Sequence, residues 1–332
     1  MAKSERVSFD GKGVAELSEG ELFDADRAVL AANNGFHVDF LFPWQRIVIA
    51  NILDGEKFLK EDKEFSNHSD DDDLYRGRQI VLLPTGAGKS MCFLVPALLL
   101  EGATLVIYPL LALMSDQKRR MEEAGIRSVV FKGGQTEEEK RENYESLTDS
   151  ENPARVIIAN PEILQSEELL NHLAKIKISH IAIDEAHCVS EWGDSFRPSY
   201  LELGKIIKRL DCKLITAFTA TASKAVLDRI AEILFDGAYH LVRGSSDRAN
   251  IHYEVKYAYA KKKAVLEAAL TMKKPMIIFC GTRRRTEEMA RICAAYFGSE
   301  KAKFYHAGLT KEEKAEIEDW FFSSKDGILA AT

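Results

Sequence analysis

The sequence predicts an α/β protein built from two parallel sheets that are flanked by helices. Short apolar or β-branched runs alternate with longer helix-like segments between residues 79 and 218, which is the pattern of a parallel sheet covered on both faces. A second alternation of the same kind begins after residue 250. At 332 residues the chain is longer than one average domain, so we expect two domains.

Each apolar run in these two alternations is a predicted strand. The predicted strands are residues 79–83, 104–108, 128–131, 155–159, 180–184 and 213–218 in the first lobe, and residues 276–280, 303–306 and 328–331 in the second. Helices are predicted at residues 91–100, 284–297 and 311–322. A doubly wound sheet needs more strands than the second lobe has to bury both faces, so we expect that lobe to be incomplete.

The chain divides into a polar, partly helical lead-in at residues 1–40, a first lobe at 41–245 and a second lobe at 246–332. The first lobe contains an acidic insertion at 54–77, in which carboxylates far outnumber lysines, and such a run is typical of a solvated loop. The formal net charge of the chain is −7, which argues against a general nucleic-acid-coating surface. Without the acidic run the rest is close to neutral, which leaves room for a local basic groove.

Nothing in the sequence predicts export or a membrane span. The first ten residues lack a basic and then apolar signal segment, and Pro96 interrupts the longest apolar run. The five cysteines are scattered without a close pair, which predicts reduced thiols and no zinc site. We therefore expect a cytoplasmic protein, or a nuclear one in a eukaryote.

A glycine-bearing turn lies between the first predicted strand and the helix at 91–100. Strand, loop and helix is the context of a phosphate-binding loop. Its glycines let backbone N–H groups turn toward a polyphosphate, its lysine neutralises the outer phosphates, and its serine hydroxyl is a ligand for Mg²⁺. The predicted nucleotide contacts are Thr85, Gly86, Ala87, Gly88, Lys89 and Ser90. The usual pattern has a glycine where this chain has Leu83, and the alternative is a tight turn with a surface lysine.

Two adjacent carboxylates, Asp184 and Glu185, end the predicted strand at 180–184. The carboxyl ends of parallel strands share one edge of a sheet, so we expect this pair to lie beside the phosphate loop. There Asp184 would hold Mg²⁺, and Glu185 would orient and deprotonate the attacking water. The alternative is that the pair only caps a helix N-terminus.

The turn and the sequence Asp-Glu-Ala-His at 184–187 together resemble the DEAH-type superfamily 2 ATPases, which are P-loop NTPases with two RecA-like lobes. The aromatic-rich run at 188–198 resembles the loop that follows the DEAH box in RecQ DNA helicases. In that loop Trp192 and Phe196 are expected to stack on unpaired bases while Arg197 contacts a phosphate. Alternatively, the two rings pack the loop against the protein.

Two other segments of the first lobe fit the same resemblance. Residues 42–45 resemble the RecQ motif upstream of the phosphate loop, which implies that the Gln45 carboxamide reads adenine. The chain departs from the family pattern at Leu41 and Phe42, and a solvent-facing glutamine is the alternative. Residues 218–222 resemble the family's coupling segment.

The coupling segment implies roles for three side chains. The hydroxyls of Thr219 and Thr221 would bond the DEAH residues, and His187 would sense the result. The alternatives are threonines that cap a helix and a histidine that is satisfied within the core.

The second lobe also carries segments of this resemblance, at residues 277–283 and 305–309. They imply nucleic-acid contacts by Arg283 and His306. Three consecutive arginines at 283–285 crowd a helix N-terminus, which is unfavourable for the helix dipole unless an anion lies nearby. Nucleic-acid phosphate is one candidate for that anion, and a solvated basic surface is the alternative.

The resemblance implies an ATP-dependent DNA helicase that uses ATP and Mg²⁺, moves 3′ to 5′ on single-stranded DNA and unwinds forked duplexes in repair and recombination. In the family, a glycine-rich DNA contact and an arginine finger follow the last strand of this chain, and zinc-binding and winged-helix modules are common further on. We therefore expect an N-terminal motor fragment that binds nucleotide and hydrolyses it slowly.

Two other function classes stay open. An RNA helicase of the same superfamily shares the phosphate loop and the acidic box, but is not expected to carry the aromatic-rich run. A non-enzymatic nucleic-acid adaptor would use ATP as a structural ligand only, and the presence of Lys89, Asp184 and Glu185 argues against it.

Overall fold

The computed structural model describes residues 7–8, 19–61, 77–109, 111–191, 198–244 and 250–332. The chain divides into two compact units, residues 1–247 and residues 248–332. Residues 62–76 of the predicted acidic insertion lie outside the described residues, as do three predicted nucleic-acid contacts, Trp192, Phe196 and Arg197.

An eight-stranded sheet organises the first unit. Its strands are β1 (Val7–Ser8), β2 (Arg78–Leu82), β3 (Ala103–Ile107), β4 (Ser128–Phe131), β5 (Val156–Ala159), β6 (Ile178–Ile183), β7 (Ile215–Thr219) and β8 (His240–Arg243). Their spatial order is β1-β8-β2-β7-β6-β3-β5-β4, and all neighbours are parallel. Strand β7 therefore lies between β2 and β6, and the carboxyl ends of all three meet at one edge.

Helices cover both faces of this sheet, because successive side chains of a strand point to opposite sides. The helices are α1 (Glu19–Phe36), α2 (Pro43–Glu61), α3 (Met91–Leu99), α4 (Leu111–Glu123), α5 (Glu137–Thr148), α6 (Glu167–Leu173), α7 (Cys188–Glu191), α8 (Leu203–Arg209) and α9 (Lys224–Phe235). Ile80 faces a core shared with α6, α8 and α9. The next residue, Val81, faces a second core shared with α1, α2 and α3. Both cores hold the edge with the phosphate loop in place.

The predicted α/β class is confirmed, and β2 to β7 are the six strands predicted in the first lobe, with ends that differ by at most two residues. The prediction missed β8. Its four residues alternate exposed and half-buried side chains and include His240 and Arg243, so they lack the apolar run that identifies a buried strand.

The acidic run contains a correction. The sequence predicted a solvated loop from residue 54, but residues 54–61 form the C-terminal part of α2. A Cβ on Gly55 would lie 3.0 Å from the Cα of Gly77, and Leu59 packs against the core. Small and apolar residues bury one face of this helix, while Asp54, Lys57 and Lys60 are exposed, so the charged residues do not end the helix.

The lead-in also contributes to the first unit. Helix α1 packs on α2 and α3, and its residues Ala28 and Ala32 are buried in the second core. The sequence-based division placed residues 1–40 outside the first lobe. In the structure, the small alanine side chains let this polar helix pack closely against the core of that lobe.

The second unit contains a smaller parallel sheet. Its elements are α10 (Lys261–Thr271), β9 (Met276–Phe279), α11 (Arg283–Phe297), β10 (Ala302–Tyr305), α12 (Lys311–Ser323) and β11 (Ile328–Ala331). The strand order is β10-β11-β9, and these strands are the three predicted in this region. Ile278, Met289, Cys293 and Ile328 belong to its core.

The five cysteines are free thiols. Cys280 is partly exposed at the end of β9, and the other four are buried: Cys92, Cys188, Cys212 and Cys293. Within the described ranges, the structure has no helix that is both long and apolar enough to cross a membrane.

Candidate nucleotide site

The phosphate loop predicted from the sequence, residues 83–90, follows β2 and leads into α3. Gly86 and Gly88 adopt φ angles of 83° and 73°, which non-glycine residues rarely adopt. The Ala87 N–H donates to the Pro84 carbonyl at 3.2 Å and closes a turn. The Leu83 N–H donates to the Thr219 carbonyl at 3.1 Å, so the start of the loop is tied to the end of β7.

The far side of the loop has free donors. Among the described residues, no acceptor bonds the backbone N–H groups of Gly88, Lys89 and Ser90. Ser90 has helical angles, and its side chain makes no capping bond. The Lys89 ammonium donates to the Leu83 carbonyl at 3.3 Å and so folds back over the loop. Free N–H groups, a lysine and a free hydroxyl at a helix start are what a polyphosphate with Mg²⁺ requires.

Helix α2 forms a wall against this loop. The helix begins at Pro43, which suits the first helical position because it has no N–H to leave unpaired. Gln45 accepts from the Phe42 N–H at 2.8 Å and donates to the Gly88 carbonyl at 3.0 Å. Trp44 donates its indole N–H to the Ala87 carbonyl at 3.0 Å. Two side chains of α2 therefore hold two successive carbonyls of the phosphate loop.

Gln45 is almost fully buried, so the structure rules out a solvent-facing glutamine. Its contacts use one N–H and one lone pair of the carboxamide, and one of each is left. Reading of adenine by Gln45 therefore stays a prediction. The departure from the family at Phe42 has a structural partner, because the Phe42 ring stacks on Trp44 with centroids 4.7 Å apart and planes 11° from parallel.

The acidic pair lies at the same sheet edge. Asp184 donates its N–H to the Ile107 carbonyl at 2.9 Å, and its carboxylate accepts from the Glu185 N–H at 3.0 Å. Glu185 adopts a φ angle of 49°, in the left-handed region that is costly for a side chain of this size. Burial and the neighbouring Glu185 carboxylate raise the pKa of Asp184 to about 6, and the Lys89 ammonium opposes that rise. The lysine of the loop and the acidic pair are thus close enough to interact.

Three side chains connect the acidic pair to β7. His187 Nδ1 lies 3.3 Å from a Glu185 carboxylate oxygen and 3.1 Å from the Thr219 hydroxyl. That hydroxyl donates to the Thr221 carbonyl at 3.0 Å, so it accepts from the histidine. Contact with His187 lowers the pKa of Glu185. The Cys188 sulfur and the Glu185 carboxylate raise the pKa of His187. Thr221 contributes its main-chain carbonyl and N–H to these bonds, and the predicted contact of its hydroxyl stays a prediction.

The pKa of Asp184 leads to a stability prediction. Its folded-state pKa is above the ordinary 3.8, so ionised Asp184 destabilises the fold. The penalty is absent below pH 4 and grows to its full size above pH 6, where the shift corresponds to at most about 3 kcal/mol. Asp184→Asn keeps the side-chain oxygen and removes the charge. We expect it to raise the melting temperature by several degrees at pH 8 without nucleotide, and by less as the pH falls.

Thermal unfolding at pH 8, 6 and 5 measures this effect. The matched control is Asp319→Asn, which changes an exposed carboxylate of α12. Equal melting temperatures of the Asp184 variant and the unchanged chain at pH 8 would contradict the prediction.

Two predicted nucleic-acid contacts lie in the second unit. His306 is buried, accepts from the Gly308 N–H at 3.2 Å, and has its Nε2 3.2 Å from a Glu287 oxygen. Arg283 begins α11, and its guanidinium lies 3.3 Å from where a Cβ on Gly308 would be. His306 and Arg283 therefore lie at the same end of the small sheet. Both ring nitrogens of His306 already have partners within the second unit, and the nucleic-acid contacts of both residues stay predictions.

Sequence reasoning missed two features of the first unit. One is Trp44, which occupies a motif position for which the resemblance assigns no role. The other is a tie between segments, in which Glu162 accepts from Asn160 at 2.6 Å and from Ser199 at 3.2 Å. The bond between Asn160 and Glu162 joins residues two positions apart, but nothing in the sequence pattern indicated that Ser199 contacts Glu162.

Donors for Mg²⁺ are hard oxygens here. The Ser90 hydroxyl is free of a capping bond, and the Asp184 carboxylate is charged at neutral pH in an unfavourable setting, so a divalent cation fits both. In the described part of the chain, no group of three histidine, cysteine or acidic side chains could hold a metal ion by itself.

Known proteins resemble this chain in sequence and in fold. The family model described as DEAD/DEAH box helicase matches residues 42–230. The probable ATP-dependent DNA helicase RecS of Bacillus subtilis is 33% identical over 258 residues, which cover 76% of this chain and 51% of that protein. The ATP-dependent DNA helicase RecQ of Haemophilus influenzae is 31% identical over 286 residues, 86% of this chain and 45% of the relative.

A solved structure supports the fold alone. A crystal structure of the DUF1998 helicase MrfA bound to DNA and AMPPNP matches with a TM-score of 0.62 and 19% identity, over 92% of this chain and 43% of that one. The chain spans about half the length of the curated relatives it matches. The sequence similarity confirms the resemblance to RecQ DNA helicases.

Proposed function

Because this chain belongs to the DEAD/DEAH box helicase family, we propose that its first unit binds and hydrolyses ATP with Mg²⁺, and that it works as part of a DNA helicase. The observation that carries this proposal is the sheet edge shared by the phosphate loop and the acidic pair. There the Lys89 ammonium opposes the rise that burial causes in the pKa of Asp184, and it adds to the lowering that His187 causes in the pKa of Glu185. A cation and two carboxylates held this close suit a magnesium nucleotide.

The residues of the site have distinct roles in this proposal. The N–H groups of Gly88, Lys89 and Ser90 and the Lys89 ammonium bind the phosphates. Ser90 and Asp184 would hold Mg²⁺, which neutralises charge on the phosphate oxygens. Glu185 orients the attacking water and takes its proton, and its lowered pKa keeps it ionised at neutral pH.

Coupling between hydrolysis and movement is proposed for the contacts of His187. Its Nδ1 atom lies 3.3 Å from the Glu185 carboxylate and 3.1 Å from the Thr219 hydroxyl. A change at the Glu185 carboxylate thus reaches the end of β7 through one imidazole. Thr219→Val, which removes the hydroxyl and keeps the shape, is the variant that separates coupling from ATP binding.

DNA is the proposed nucleic acid. The relatives above are named DNA helicases, and the aromatic-rich run at 188–198 resembles the loop of RecQ proteins. We further propose 3′ to 5′ movement on single-stranded DNA, unwinding of forked duplexes, and a role in repair and recombination.

Stimulation of ATP hydrolysis distinguishes DNA from RNA. Single-stranded DNA and RNA of equal length and sequence are compared at one salt concentration, because phosphate contacts make affinity salt-dependent. We expect DNA to stimulate hydrolysis more strongly than RNA. Stronger stimulation by RNA would favour an RNA helicase, and binding of ATP without any hydrolysis in the unchanged full-length protein would favour an adaptor.

A further inference from the structure

We propose that Trp44 is a positioning residue for the phosphate loop, and that its indole N–H sets the orientation of the Ala87–Gly88 peptide. The inference rests on the proposed function, because it concerns the binding of polyphosphate by that loop. The bond from Trp44 Nε1 to the Ala87 carbonyl, 3.0 Å long, joins residues 43 positions apart in the chain.

A trans peptide is planar, with its C=O and N–H pointing in opposite directions. The Ala87 carbonyl points toward Trp44 on α2, so the N–H of Gly88 points away from that indole. This N–H has no protein acceptor among the residues that the structure describes. The Gly88 N–H is therefore available to a phosphate oxygen, because Trp44 holds the Ala87–Gly88 peptide in this orientation.

The next peptide along the chain, Gly88–Lys89, is held by more than one hydrogen bond. The Gly88 carbonyl accepts from Gln45 at 3.0 Å, and it also accepts from the Met91 N–H of α3 at 3.1 Å. That peptide stays oriented without Gln45. By contrast, the indole of Trp44 is the one hydrogen-bond donor that reaches the Ala87 carbonyl within the described ranges.

The indole itself is held in place from two sides. Its ring stacks on Phe42 with centroids 4.7 Å apart, and it packs, partly buried, against the second core of the first unit. The N–H of Phe42 is in turn bonded by Gln45, which fixes the start of α2. A donor that is already ordered costs little entropy when the loop closes on phosphate.

The test uses the whole chain and two polyphosphate probes, ATP and inorganic tripolyphosphate, each with Mg²⁺. Trp44→Phe keeps an aromatic ring but removes the five-membered ring of the indole together with its N–H donor. Loss of one hydrogen bond of this kind lowers affinity by about threefold to tenfold. We expect that loss for ATP and an equal loss for tripolyphosphate, measured by calorimetry. Trp320→Phe, in the second unit, is the matched control and should bind both probes as the unchanged chain does.

Tripolyphosphate separates positioning from two other roles. A tryptophan that only contacts the base would affect ATP and leave tripolyphosphate binding unchanged, and that result overturns the inference. A tryptophan that only stabilises the fold would lower the melting temperature and leave both affinities of the folded protein unchanged, which overturns it too. If Trp44→Phe does not fold, incorporation of benzothienylalanine at position 44 keeps the bicyclic shape without the N–H.

Failure of the inference differs from failure of the proposed function. If the unchanged chain binds both probes and Lys89→Ala weakens this binding, the proposed function stands whatever Trp44→Phe does. If the unchanged chain binds neither probe, the proposed function fails, and the inference fails with it.

Discussion

Glu185→Gln should slow ATP hydrolysis by about 10²-fold to 10⁴-fold while nucleotide binding is kept, because the amide cannot take a proton from the attacking water. The structure strengthens this expectation. Contact with His187 lowers the pKa of Glu185, so the carboxylate is ionised at neutral pH, and glutamine preserves its size. Single-turnover hydrolysis with saturating single-stranded DNA measures the effect, and calorimetry with a non-hydrolysable ATP analogue measures binding.

The matched control for Glu185 is Glu232→Gln, which changes an exposed carboxylate of α9 paired with Arg229. It should hydrolyse ATP at the unchanged rate. If Glu185→Gln also hydrolysed at that rate, the role of general base would belong to another group, and the geometry at the end of β6 would need another explanation.

Lys89→Ala is expected to weaken binding of ATP by about tenfold to a hundredfold, with a larger loss of turnover, since a buried charge-assisted bond to phosphate contributes about 1.5–3 kcal/mol. The Lys89 ammonium donates to the Leu83 carbonyl in a long hydrogen bond of 3.3 Å, so little is lost when the side chain turns toward phosphate. The variant also removes the cation that limits the rise in the pKa of Asp184 and helps to lower the pKa of Glu185.

Binding of Lys89→Ala is compared with that of Lys205→Ala, an exposed lysine paired with Glu202. An unchanged affinity of Lys89→Ala for ATP would place the polyphosphate elsewhere and would remove the basis of the proposed function. Unwinding by the full-length Lys89 variant at the unchanged rate would instead favour a nucleotide that serves as a structural ligand.

Local patterns predicted much of this molecule, for identifiable reasons. Strands β2 to β7 are buried on both faces, so they read as continuous apolar runs. The phosphate loop needs glycine at two positions with positive φ. The acidic pair directly follows an apolar strand, and that strand is recognisable in the sequence. These requirements leave a signal within a few neighbouring residues.

Features that depend on distant contacts left no such signal. The charged part of α2 is helical because Gly55 lies against Gly77, and α1 is buried through two alanines that α3 covers. The bond between Trp44 and Ala87 spans 43 positions. Contacts of this kind depend on how the elements pack. The local sequence around Trp44 and Gln45 would be the same whether or not Trp44 bonds the phosphate loop, so it could not predict the contact.

The distribution of cysteines has a practical consequence for watching this protein at work. Burial raises the pKa of the Cys92 and Cys212 thiols to about 12, and Cys188 and Cys293 are buried as well. Cys280 is the accessible thiol of the five, and it lies three residues before Arg283. A maleimide fluorophore should therefore attach at Cys280 in the unaltered sequence, and it would report on the second unit when nucleotide or DNA is added.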